Sequence, residues 1–206
     1  MNEVLRDRVR AAVAAPFDGT LGSRFVAPLV TWLVADASAP ESLGDVLAGT
    51  MGALERVGVL RGRQFVLLGG DPVAPGARAR AKALRAELGV PVLVHDPERE
   101  GFVAGTLGDG TPIELDDELR EAEAIVAVAI GGPWAVAGAV VPGVACARTR
   151  AAFVRARAAG DGWGFVRAAE REAPLDLAVW CDERGGCRVA SGAAMLALAA
   201  DEAGER

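Results

Sequence analysis

A chain of 206 residues, 51% hydrophobic and 24% charged, has room for one sizeable core and lies in the globular rather than the disordered range. A net charge of -6 with no cluster of Lys and Arg excludes a nucleic-acid groove. No stretch approaches the ~20 apolar residues of a membrane span, and residues 1–16 lack the apolar centre of a secretory leader, so a cytoplasmic location is expected.

Residues 1–16 place Leu5, Val9, Ala12 and Val13 on one helical face among Arg6, Arg8 and Arg10, the pattern of a surface helix. Residues 29–35 (LVTWLVA) form an unbroken apolar run, as in a strand buried on both faces of a parallel sheet. A helix is expected from Ser42, with Asp45 placed for a capping box and Leu43, Val46, Leu47, Met51, Leu54 and Val57 as its stripe. Residues 64–68 (QFVLL) are the next strand. A helix from about Pro75 to Gly89 follows, with Ala77, Ala81, Leu84 and Leu88 inward and Lys82 toward solvent. Residues 90–95 give a third strand, 105–115 an irregular segment or short hairpin around Asp109-Gly110, 116–123 a short helix with an acidic start, and 125–130 (IVAVAI) a fourth strand. Helices are expected over 148–159 and 164–172, a hairpin from 175–182 and 187–190, and a last helix over 193–203.

The β-α-β-α-β order implies an α/β fold: an open, mostly parallel, Rossmann-like sheet with flanking helices and right-handed crossovers, ending in a C-terminal β-hairpin and helix. Residues 1–160 form the main α/β domain and residues 161–206 a short extension.

In such a sheet ligands bind outside the carboxyl ends of the strands. Those ends carry Asp36 with Ser38, Gly69 and Gly70 before Asp71, His95 with Asp96, and Gly131-Gly132 before Trp134. A glycine pair lets backbone approach a ligand, and a carboxylate beside an imidazole supplies or orients a general base. Asp71 and His95 are thus the catalytic candidates, and Asp36, Ser38, Gly69, Gly70 and Trp134 the ligand-binding ones. Each also has a plain structural role open to it. Asp36 and Asp71 suit helix caps, His95 a strand-end hydrogen bond to backbone, Trp134 packing. No GxGxxG or GxxxxGK[ST] follows a strand, which disfavours a nicotinamide or ATP enzyme. Cys181 and Cys187 flank a turn and can face each other across a hairpin. In a reducing compartment they are expected to be unbonded packing residues, as is Cys146. No metal site is read from the cysteines.

Taken in order, these segments resemble the nickel-dependent lactate racemase family. Residues 15–19 (APFDG) are similar to that family's PIGSP-like segment and residues 36–40 (DASAP) to its SDKTRP. Val94-His95-Asp96, Gly105-Thr106, Gly110-Thr111-Pro112-Ile113, Pro133-Trp134, Ala137-Gly138 and Val141-Pro142-Gly143 continue the likeness. Residues 176–192 look like the start of the family's second domain, after which the chain stops. The resemblance implies a fold like the family's N-terminal domain and a nickel pincer nucleotide tethered to a lysine, with two histidines exchanging the substrate's α-proton.

The matching positions depart from that chemistry. Asp71 stands for the histidine of GTHR, and Trp134 for the histidine of PHxxAGFSGGxK, whose lysine loop is missing. Ala39 replaces the arginine of SDKTRP, and Ala152, Phe153 and Val154 occupy the nickel-ligand region. With one Lys and one His in the chain, neither tether nor histidine pair can be rebuilt. The expectation is therefore a non-racemising homologue without the nickel cofactor, serving as a ligand-binding module for a small molecule or as an interaction module. A homo-oligomer or a partner chain at the truncated end would complete it. The alternative is an isomerase or hydrolase of different chemistry, for a small hydroxy-acid-like substrate, using Asp36, Asp71 and His95.

Overall fold

The computed structural model describes residues 2–14, 29–70, 76–182 and 184–202. Asp71, the 15–19 segment and the expected helix start at Pro75 lie outside the described residues. Eight strands and seven α-helices occur among those described: α1 (Glu3–Ala14), β1 (Thr31–Asp36), α2 (Leu43–Arg56), β2 (Gln64–Gly69), α3 (Ala77–Leu88), β3 (Val92–Val94), β4 (Phe102–Thr106), β5 (Pro112–Leu115), β6 (Ala124–Ile130), α4 (Pro133–Val140), α5 (Ala147–Ala158), α6 (Gly162–Glu172), β7 (Leu177–Cys181), β8 (Cys187–Ala190) and α7 (Gly192–Glu202). No helix among the described residues is long and apolar enough to cross a membrane.

Six strands form one sheet in the order β3-β2-β1-β6-β7-β8, parallel throughout except for β8, and β4 and β5 form a separate hairpin. The sheet is buried on both faces because successive residues of each strand feed two different cores. Leu33, Ala35, Val66, Leu68, Val126, Val128 and Val179 pack against α1, α2 and α3. Trp32, Val34, Leu67, Ala127, Ala129, Ala178 and Trp180 face α4, α6, α7 and the β4–β5 hairpin. The fold class read from the sequence is the one observed.

β7 pairs in parallel with β6 and β8 continues from it, so one sheet has strands on both sides of residue 160. Two features differ from the sequence reading. A helix, α4, fills residues read only as a strand end. The capping box at Ser42 does not form: Ser42 makes no side-chain cap, and Asp45 instead accepts from the Asn2 amide at 2.8 Å and from Arg6 Nε at 2.8 Å. Arg6 also donates to Glu87 at 2.7 Å, so one guanidinium ties α1 to α2 and α3.

Candidate functional site

From β1 the chain winds outward through β2 to β3, then returns to β6 and winds the other way to β7. The carboxyl ends of β1 and β6 therefore flank the point where strand order reverses, the usual place for a ligand crevice in such sheets. A cavity of about 490 Å³ opens beside it, lined by Pro40 and Ser42 after β1, Ile130 at the end of β6, Cys181 and Asp182 at the end of β7, and Arg8 of α1.

Asp36 ends β1 on the surface, where its Oδ1 accepts from the Ser38 amide and from Ser38 Oγ, both at 2.7 Å. The Ala37 amide donates to the Gly69 carbonyl at 2.9 Å, bringing the ends of β1 and β2 together. Gly70 adopts a left-handed φ of 119°, and a side chain there would meet Ala37 Cβ at 3.6 Å and Asp36 Oδ1 at 4.0 Å. Asp36, Ser38, Gly69 and Gly70 are thus neighbours. The need for glycine at position 69, however, comes from backbone rather than from ligand: a Cβ there would lie 2.8 Å from the carbonyl carbon and oxygen of Gly143.

His95 is fully buried past the end of β3. Its Nδ1 lies 2.5 Å from Asp116 Oδ2 and its Nε2 2.9 Å from the Ala145 carbonyl oxygen. A carbonyl only accepts, so Nε2 carries a proton, and a further proton is held between Nδ1 and the carboxylate. Burial raises the Asp116 pKa, but the hydrogen bonds from His95 and the Glu118 amide, with the positive charges of His95 and Arg99, outweigh it and hold the carboxyl below its ordinary range. An imidazole with both nitrogens engaged and no exposed surface has no site left for a substrate proton. The structure places His95 as a buried tie between β3, the β5 end and the α4–α5 loop. Arg150 extends this tie, donating to the carbonyls of Ala145 (2.8 Å), Gly143 and Gly70 (3.4 Å).

Sequence reasoning missed both Asp116 and Arg150. Asp116 belongs to the acidic start expected of the 116–123 helix, and it accepts from the Glu118 amide at 3.0 Å through Oδ1. The signal available was the single histidine, which needed a carboxylate once placed at a buried strand end.

Trp134, at the start of α4, keeps 43% of its surface exposed and packs against Trp163, with ring centroids 4.1 Å apart. The two indoles flank a cleft of about 570 Å³ that also touches Gly138, Pro142, Phe153 and Arg157. Trp134 is therefore both a packing residue and part of an open surface.

The expectation of unbonded cysteines is overturned for one pair: Cys181 and Cys187, held opposite each other by the β7–β8 register, form a disulfide. Disulfides persist in oxidising compartments, so this bond does not favour the cytosol. Closing so short a loop contributes about 2 kcal/mol. Dithiothreitol is accordingly expected to lower the Tm of the wild type but not that of Cys187→Ser, as followed by circular dichroism. Cys146 keeps a free, buried thiol, and burial together with the Asp116 and Glu114 charges pushes its pKa up to about 11, which leaves it un-nucleophilic at neutral pH.

No family model matches the chain, and no curated protein matches its sequence. A solved structure does. The fold is similar to that of a lactate racemase. That structure, the lactate racemase apoprotein from Thermoanaerobacterium thermosaccharolyticum, matches with a TM-score of 0.67 and 15% sequence identity over 98% of this chain. The likeness is one of fold. The chain spans 55% of the racemase's length. Its six-stranded, mostly parallel sheet and both helix layers fall within the matched region.

Proposed function

We propose that this chain is a lactate racemase-like protein that does not racemise, and that it binds a small molecule at the carboxyl edge of its sheet through the Asp36, Ser38 and Gly70 turn and Trp134. The observation that carries the reading is the state of His95, the sole histidine, whose two nitrogens are spent on Asp116 and Ala145. Exchange of an α-proton between two faces of a substrate needs bases that can reach it. The sole lysine, Lys82, is exposed on α3, and no group of three His, Cys, Asp or Glu side chains among the described residues could hold a metal ion. These residues do not fit a lysine-tethered nickel cofactor.

The test is direct. The purified chain, supplied with nickel and with either enantiomer of lactate, is expected to leave the enantiomer unchanged on chiral chromatography and to retain no stoichiometric nickel by mass spectrometry. Interconversion of the enantiomers, or a nickel adduct on Lys82, would overturn the proposal.

A further inference from the structure

The cleft between α4, α5 and α6 combines a volume, an aromatic wall and a cation that point to a class of ligand. Its volume of about 570 Å³ is in the range of small-molecule pockets. One wall is aromatic, with the half-exposed Trp134 ring packed on Trp163, and Phe153 and Phe165 meeting edge-on at 5.9 Å behind it. The backbone of Gly138 leaves it open: a Cβ there would meet nothing within 4 Å, although the residue sits inside a helix otherwise made of larger side chains.

Among the residues lining this cleft, one carries a buried donor without a partner and one a charge without an ion pair among the described residues. Trp163 is 96% buried, since its relative exposure is 4%, and its indole Nε1 has no hydrogen-bond partner among the described residues. Arg157 reaches the cleft from α5, is exposed, and has no ion pair among the described residues. The neighbouring Asp161 carboxylate lies over Gly164 in the first turn of α6.

We infer that this cleft binds a small aromatic carboxylate, its ring laid on Trp134 and its carboxylate paired with Arg157. Ring stacking on an indole and a charge-assisted hydrogen bond to guanidinium are the interactions these side chains make best. The inference rests on the Trp134 part of the ligand-binding reading above, the residue this cleft shares with it, and gives that part a ligand class. Its test reads occupancy rather than turnover, so racemase activity would sink the earlier reading without touching this one.

Isothermal titration calorimetry of the whole chain with naphthoate, and with neutral naphthalenemethanol as its uncharged counterpart, provides the test. Saturable binding of naphthoate is expected, with the neutral compound and the Arg157→Gln variant each weaker by about tenfold or more. Arg155→Gln, on the same helix outside the cleft, should bind as the wild type does. Gly138→Leu fills the open space from an unstrained helical position and is expected to abolish binding with an unchanged circular dichroism spectrum. Should that variant fail to fold, Trp134→Ala takes its place with the same expected loss. No saturable binding, equal affinity for the neutral compound, or full affinity in folded Gly138→Leu or Trp134→Ala would overturn the inference.

Discussion

Asp116→Ala is expected to destabilise the protein by about 3–5 kcal/mol, because it leaves the buried His95 side chain without the carboxylate that shares its proton. At this chain length the loss corresponds to a fall in Tm on the order of 10 °C. Both groups are removed from water, His95 at 0% and Asp116 at 5% exposure, so solvent screens the pair little. Replacing both partners with apolar residues, His95→Met with Asp116→Leu, should recover much of the loss, since no charge is then stranded. A double variant no better than Asp116→Ala would show that the pair is not coupled as described. The pH dependence follows from the same bond. The Asp116 carboxyl has a lower pKa in the folded state than its ordinary value, so its contribution is full above that ordinary value and disappears as pH falls through the folded one. Urea midpoints of wild type and Asp116→Asn should therefore converge as pH falls below about 4.

Gly143→Ala is expected to cost about 3 kcal/mol or more, at the upper end for overpacking. A Cβ at this position would overlap the carbonyl of Ala139 and lie 2.7 Å from the Gly138 oxygen, both backbone groups of α4 that cannot rotate away. Relief requires moving the α4–α5 loop, yet the Gly143 carbonyl accepts from the Gly70 amide at 3.3 Å and from Arg150, and its backbone packs on Gly69. Thermal denaturation should show the loss, alongside a control at Gly108, where a Cβ meets nothing within 4 Å and Ala should change stability by no more than about 0.5 kcal/mol. A change in Gly143→Ala as small as that control would mean that the loop is free to adjust.

Much of the framework could be read from periodicity alone. LVTWLVA, QFVLL and IVAVAI are strands because such runs can be buried on both faces, and the stripe of α3 is its buried set, while α1 leaves Ala12 half-buried and α2 ends before Val57 and buries Asp45, Thr50 and Ala53 as well. α4 escaped because PWAVAGAV has no polar face: it is covered on several sides, and a helix of that kind carries no periodic signal. The placement of β7 escaped for a different reason. A strand followed closely by a turn and another strand reads as a hairpin, and nothing local reveals that its far edge pairs with β6. At the site, sequence found the strand ends but not their partners. The His95–Asp116 contact and the three carbonyls on Arg150 join segments distant along the chain, and such contacts leave no spacing to recognise.

The sheet's two margins have a consequence for association. On one side it stops at β3, three residues long, and on the other at β8, four residues long, with Arg188 among them and a covalent staple to β7 at one end. Margins this short, one of them charged and pinned, offer an incoming strand few amides to zip against, so growth of the sheet from molecule to molecule is blocked at both rims.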